Sequence, residues 1–423
     1  MNRRSFLGAS TATIGLMFLK SKTAFGYEAN SAVRYALLGC GNRGTSVATS
    51  FAKNTPARLV ALADIFPDQL SKAKTHFDQV NATLGQPAID PKLMFRGHTA
   101  YQQLAASPDV DAIQISTPPF FHVEHLDGVV SAGKHAYCEK PVGVDIAQTN
   151  RALEIAKRVD GKVSIDVGFQ IRSAPPFVEM VKRIQAGDIG KIASISAHYN
   201  APAAVSHPDR PGMSNDERRL RNWLWDRTLS GDILLEQNIH VIDICNWIMG
   251  THPISAMGKR SRMVVQNFGN TSDNYEVIFS YPGGAALSFS STQFGSNGFF
   301  DVSERVFGAT GVADVPYSGP MQISGQKPWT WVDDTPAKAA PGKFAADGAF
   351  TDNLRLADAM KDQDFIESIT SGRFHNQIAE GVSSARSCML GRYAAETGHE
   401  VTWDALQQNG EVYSLGMDIT QFK

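Results

Sequence analysis

Three side chains stand where they could move a proton. Lys140 lies between Glu139 and Pro141, directly after the apolar run Ala136-Tyr137-Cys138. A lysine fixed in a turn at a strand's carboxyl end can donate a hydrogen bond to an oxygen and hold it as an alkoxide. Glu139 reads either as a partner for it or as a residue that shapes the turn. Glu236 and His240 are spaced i, i+4 within a segment from Leu234 to Met249 whose apolar positions predict one helix, so both should face the same side. Histidine suits the task of accepting a hydroxyl proton, because its ordinary pKa lies near neutrality. Metal chemistry is not expected. Asp243 has no third ligand at a suitable spacing, and Cys40, Cys138, Cys245 and Cys388 show no CxxC pair, so they read as buried thiols.

A second constellation precedes these residues. The apolar run Tyr35 to Leu38 stops at Gly39-x-Gly41-x-x-Gly44, a helix-compatible stretch follows, and a second run, Leu59 to Ala63, ends in Asp64. Strand, glycine turn, helix, strand and acid make up the dinucleotide-binding fingerprint in its structural context. Gly39 permits the tight turn, Gly41 lets backbone approach a pyrophosphate, and Gly44 allows helix and strand to pack closely. With Asn42 and Arg43 these residues place a helix N-terminus against the anion. Asp64 should accept hydrogen bonds from the ribose hydroxyls and repel a 2′-phosphate, which favours NAD over NADP. Arg43 tempers that preference, since it could pair with a phosphate.

The elements that must position these residues alternate. Strands at Val110–Ser116 and Ala136–Cys138 are each followed by a helix, and Asp145 is a fair N-cap for a helix to about Val159. This grammar predicts a parallel sheet with ligands beyond its carboxyl edge, where Thr117-Pro118-Pro119 and Glu139-Lys140-Pro141 lie. Thr117, Pro118 and His122 join the expected cofactor contacts. After a strand to Phe169, longer alternating runs at Lys191–Tyr199, Ala256–Val265, Tyr275–Tyr281 and Ala285–Ser291 predict an open, largely antiparallel sheet. Helices are expected near Asn353–Ser371 and Ile378–Glu396, and Gly308–Ala346 reads as a surface excursion. Arg221, Trp223 and Trp225, just before the His240 segment, suit a sugar, whose C–H faces stack on rings and whose hydroxyls meet polar groups. Arg172, Tyr199 and Asn200 are further substrate candidates at strand ends.

At 423 residues the chain has room for two domains, with 43% hydrophobic and 19% charged residues. A formal net charge of −2 offers no basic field for nucleic acid. Asn2-Arg3-Arg4-Ser5-Phe6-Leu7 and the moderately apolar stretch after it predict a twin-arginine signal peptide over residues 1–26, too short to span a membrane. That route exports folded proteins to the periplasm, which suits a protein that acquires its nucleotide in the cytoplasm. Expected domains are 33–158 for the dinucleotide and 159–423 for substrate and assembly. The alternating run Tyr275 to Phe279 is expected to leave apolar residues on an uncovered sheet face, hence a homodimer or homotetramer.

From about Val33 to Asp404 the chain resembles the Gfo/Idh/MocA oxidoreductases. The resemblance rests on the glycine fingerprint, Thr117-Pro118-Pro119, Glu139-Lys140-Pro141, Gly168-Phe169-Gln170-x-Arg172, Gly187-Asp188-Ile189-Gly190-Lys191, and Gly391-Arg392 followed by Val401-Thr402-Trp403-Asp404. It implies an α/β fold with an N-terminal Rossmann doubly wound parallel sheet and a C-terminal domain built on a mostly antiparallel open sheet. It also implies NAD(P) as cofactor, oxidation or reduction of a sugar, glycoside or polyol, and Gln170 among the substrate contacts; with export after folding, NAD is expected to be tightly bound. In that family a carboxylate four residues before a histidine orients it, and Glu236 stands where aspartate is common. An NAD-dependent glycoside hydrolase and a non-catalytic sugar sensor remain open as alternatives at this point.

Overall fold

The computed structural model describes residues 32–203, 206–265, 269–295, 299–332 and 352–423. The expected signal peptide and the last part of the Gly308–Ala346 excursion lie outside them.

The first sheet is parallel throughout, in the order β3-β2-β1-β4-β5-β6. Its strands are β1 (Arg34–Leu38), β2 (Arg58–Asp64), β3 (Met94–Arg96), β4 (Ala112–Ile115), β5 (His135–Cys138) and β6 (Ile165–Val167). Helices α1 (Asn42–Asn54), α2 (Pro67–Thr83), α3 (Ala100–Ala106), α4 (His122–Ser131) and α5 (Ile146–Val159) connect them. Both faces are covered, which is why β1 and β4 are continuous apolar or small runs rather than alternating ones. Asp145 caps α5, its side chain accepting from the Gln148 N–H at 2.8 Å. Pro67 opens α2 from its first turn, where its missing N–H costs no bond. Strand β6 completes this sheet from beyond residue 158.

The second sheet has nine strands in the order β14-β13-β12-β11-β7-β10-β9-β8-β15, antiparallel except where β7 and β10 pair. They are β7 (Ile192–Pro202), β8 (Ser255–Ser261), β9 (Asn274–Ser280), β10 (Ala286–Gly295), β11 (Asp301–Gly308), β12 (Gly311–Pro316), β13 (Gln322–Gly325), β14 (Trp329–Thr330) and β15 (Val401–Thr402). The segment after Gly308 thus begins as three strands, not as a surface excursion: Ala313 and Val315 on β12 and Ile323 on β13 are buried, Val312 and Asp314 lie on the other face, and the strands extend the sheet edge. The helices of this half are α6 (Pro175–Gln185), α7 (Asn215–Arg221), α8 (Arg227–Ser230), α9 (Ile233–Glu236), α10 (Ile239–Met249), α11 (Ala357–Ser371), α12 (Ile378–Thr397) and α13 (Trp403–Asn409).

The helix predicted from Leu234 to Met249 is two, α9 and α10. The Gln237 and Asn238 N–H groups both turn back to the Ile233 carbonyl, each at 3.0 Å, and α10 restarts on Asn238. The alternation in β9 also runs opposite to expectation. Tyr275, Val277 and Phe279 face the helices, leaving Glu276 and Ile278 on the open face.

Helix α12 is buried on every side through Val382, Ala385, Cys388, Leu390 and Ala394, and packs against α5, α9, α10 and β8. It is the rod between the two halves. Helix α11 returns to the first half, where Phe365 meets Phe51 and Tyr137 edge-on. Among the described residues no helix is long and apolar enough to cross a membrane.

Candidate active site

The carboxyl edge of the parallel sheet opens into a cleft of about 940 Å³. Its floor is the glycine turn. Gly39 holds φ at +94°, and a Cβ there would lie 2.5 Å from the Ser116 carbonyl oxygen. At Gly44 a Cβ would come within 2.1 Å of the Gly39 oxygen, so helix and turn touch backbone to backbone. Helix α1 begins with no side-chain cap and no acidic residue in its first turn. Its free N–H groups and dipole end are therefore available to an anion.

Asp64 ends β2 beside this turn. Its carboxylate accepts from the Cys40 N–H and the Phe66 N–H, both at 2.7 Å. Burial raises its pKa to about 6 against the pull of those two donors. Arg43 does not reach toward it. The guanidinium donates to Glu139 Oε1 at 2.9 Å and lies 3.6 Å from Asp358, so it is turned toward the Lys140 turn and is engaged by carboxylates rather than free for a 2′-phosphate.

Thr117 and Pro118 line the cleft after β4. His122 lines it too, but its ring nitrogens lie 2.7 Å from the Thr117 carbonyl and 2.8 Å from the Pro141 carbonyl. It clamps the two strand-end loops together instead of offering a free contact. Burial is the main cause lowering its pKa.

Across the cleft, Lys140 Nζ donates to Glu236 Oε1 at 2.8 Å and to the Glu236 backbone carbonyl at 2.5 Å. Glu236 is thus committed to Lys140, and the expected Glu236–His240 pair does not form, because the break at Gln237-Asn238 places the two residues on separate helices. His240 lines the same cleft. Its Nδ1 is buried with no partner among the described residues, which leaves Nε2 as the accessible nitrogen. The Phe169 ring stands edge-on at 6.2 Å. Burial, then the nearby charges of Lys140, Arg43 and Lys361, hold the His240 pKa well below 6.5. The imidazole is neutral at physiological pH and ready to take a proton.

The substrate candidates divide. Trp223 and Trp225, in the single turn Trp223–Trp225, and Tyr199 line the cleft. Arg221 lines it at the nucleotide end, paired with Asp68 at 2.9 Å and Glu217 at 2.7 Å and stacked 3.8 Å over Phe66. Three others stand off. Asn200 follows Tyr199 on β7 and so takes the opposite face, accepting from Thr292 Oγ1 at 3.1 Å. Arg172 forms a two-pronged pair with Asp243 at 2.8 and 2.9 Å. Gln170 is fully buried in the turn Gln170–Ser173 and does not line the cleft. Sequence reasoning missed Gln237, which lines the cleft with its buried Oε1 lacking a partner among the described residues, and also His207 and Asn222. Helical spacing hid Gln237, since only the break turns it inward.

The open glycine cradle, the uncapped helix start and the acid at the end of β2 fit a dinucleotide. A parallel-sheet domain with such a site and a lysine at its own carboxyl edge, facing a neutral histidine from a second domain, defines a nicotinamide-dependent oxidoreductase. Residues 33–167 match the family model described as oxidoreductase family, NAD-binding Rossmann fold, and 177–314 match the GFO/IDH/MocA C-terminal domain. The chain belongs to the Gfo/Idh/MocA oxidoreductase family and binds NAD. It is 26% identical to inositol 2-dehydrogenase of Rhizobium meliloti (strain 1021), over 69% of this chain and 78% of that protein. Its fold is that of aldose-aldose oxidoreductase from Caulobacter crescentus, solved with glycerol (TM-score 0.68, 20% identity, 88% of this chain and 99% of that one). It is also that of levoglucosan dehydrogenase, solved with NADH and levoglucosan (TM-score 0.67, 17% identity, the same coverage).

Proposed function

We propose that this protein is a periplasmic oxidoreductase that converts a secondary alcohol of a sugar or polyol to the ketone, and the reverse, with NAD that stays bound. The observation that carries the reading is the shared cleft: the glycine turn and Asp64 on one side, the Lys140–Glu236 pair and neutral His240 on the other. The inositol and sugar dehydrogenases among its relatives support the substrate class.

The turn from Gly39 to Gly44 and the start of α1 would hold the pyrophosphate, Asp64 the ribose hydroxyls, and the loops at Thr117 and Glu139 the nicotinamide half. When bound, NAD supplies the hydride acceptor. His240, with its own proton on Nδ1, accepts the substrate's hydroxyl proton at Nε2. Lys140 donates to the same oxygen as its charge develops, and Glu236 fixes the Lys140 ammonium. Trp223, Trp225 and Tyr199 give the sugar ring a wall to stack on.

Retention of the cofactor follows from the location. Arg3-Arg4 supports export after folding, and an exported enzyme has no pool in which to exchange NADH, so it must restore its cofactor in place, by reducing a second substrate or within one catalytic cycle. Holding a nucleotide for about an hour needs an off-rate near ~10⁻⁴ s⁻¹, hence a Kd near ~10⁻¹⁰ M at ordinary association rates. The mature protein, from about Tyr27 onward, should keep close to one nucleotide per chain through dialysis, seen by mass spectrometry after denaturation, and should show ping-pong kinetics with two sugars. Dialysed protein that is empty and active only with millimolar NAD would end the closed-cycle reading. A homodimer or homotetramer completes the proposal.

A further inference from the structure

Lys361 lies on α11, far along the chain from any residue discussed above as reacting, and is only 3% exposed. A buried ammonium needs partners. Its Nζ donates to the Tyr137 hydroxyl at 2.5 Å and to Asp358 Oδ1 at 3.2 Å, and sits 4.5 Å from the centre of the Tyr137 ring. The Tyr137 hydroxyl in turn donates to Glu139 Oε1 at 3.4 Å. That same oxygen accepts from Arg43 Nε at 2.9 Å, and Arg43 Nη2 lies 3.6 Å from Asp358 Oδ1. The ring closes there: Lys361, Tyr137, Glu139, Arg43, Asp358 and back to Lys361.

We propose that Lys361 is a positioning residue for Lys140, acting through this ring on the Glu139-Lys140-Pro141 turn. Glu139 is 4% exposed and cannot turn to water. With the ammonium gone, Glu139, Asp358 and Asp362, the last 3.8 Å from Lys361, compete for Arg43 alone. Arg43 is drawn toward α11, Glu139 is left with only the longer Tyr137 contact, and the peptide that carries Lys140 shifts away from Glu236. The helix itself stays anchored, because Phe365 remains packed on Phe51 and Tyr137. Arg43 belongs to the turn that would hold the pyrophosphate, so the same shift is expected to reach the nucleotide as well as Lys140.

The inference rests on Lys140 being a reacting group, and one readout is independent of that. Lys361→Met keeps the aliphatic stem and removes the charge. In the folded, NAD-loaded variant, reductive methylation of Lys140, followed by peptide mass spectrometry, should run several-fold faster than in the wild type. With myo-inositol or glucose as probes, kcat should fall roughly 10–100-fold at constant KM, the cost of a misplaced catalytic group. Tyr137→Phe, which keeps the aromatic ring and removes the relaying hydroxyl, should act in the same direction, and the double variant should be no worse than Lys361→Met. If Lys361→Met does not fold, Tyr137→Phe decides. Wild-type labelling of Lys140 in whichever folded variant decides overturns the proposal. Faster labelling in a protein whose wild type turns over no sugar would uphold the ring and count instead against the proposed substrate.

Discussion

In the proposed function Asp64 chooses between NAD and NADP through its charge. Burial holds its pKa at about 6, so it is ionised above that pH and neutral below it. A carboxylate there repels a 2′-phosphate, while the nearest part of the turn that could have offset it, Arg43, is held by Glu139 and Asp358. Two results are expected when NAD and NADP are titrated against the protein's fluorescence. Asp64→Ala should lower the preference for NAD by roughly 10–100-fold, the worth of a charge-assisted hydrogen bond. In the wild type the preference should shrink as pH falls through about 6, because the repelling charge is lost there. A preference that ignores both the substitution and the pH would mean Asp64 does not read the ribose.

At the level of elements, the structure explains what could be read beforehand. The glycine turn and the strand-end loops were legible because each step is local: a buried run, a turn needing glycine, an acid at a strand end. Glu236 and Asn200 were misread, and Gln237 was missed, where one peptide decides the face. Nothing in Gln237-Asn238 is a helix breaker by type, yet two N–H groups returning to Ile233 split the helix and send Glu236 to Lys140. A strand's alternation sends Tyr199 inward and Asn200 outward. The chain's last residues were not assigned any role. They strap the nucleotide end: the Phe422 carbonyl accepts from the His98 N–H at 3.2 Å, its ring meets Phe66 at 5.6 Å, Arg219 donates to the Gly416 carbonyl at 2.9 Å, and Ile419 lines the cleft. Phe422→Ala should therefore release NADH about tenfold faster in a displacement assay, as loss of an aromatic pair and its buried area allows. An unchanged off-rate would show that the strap does not retain the nucleotide.

The whole molecule places its reactive groups where two domains meet and leaves one broad surface uncovered. The outer face of the nine-stranded sheet carries many polar and charged residues, but Met257 and Ile278, paired across β8 and β9, are each 47% exposed, and Phe307 on β11 is 38% exposed. That face supports the proposed self-association, with two-fold symmetry as the simplest closed arrangement. Light scattering at micromolar concentration should give at least a dimer, and Ile278→Lys should weaken it; a stable monomer would remove that part of the account.

The central claim is that Lys140 and His240 pass a sugar's proton while bound NAD takes its hydride. It is tested most directly by mixing NAD-loaded protein with a panel of aldoses and polyols and following the NADH absorbance band in a single turnover. The wild type should reduce its NAD with at least one of them, and Lys140→Ala and His240→Ala, still carrying nucleotide, should do so roughly 10²–10⁴-fold more slowly, the span of a general acid–base contribution. Equal rates in the wild type and both variants, or no reduction by any sugar or polyol while NAD is demonstrably bound, would contradict it.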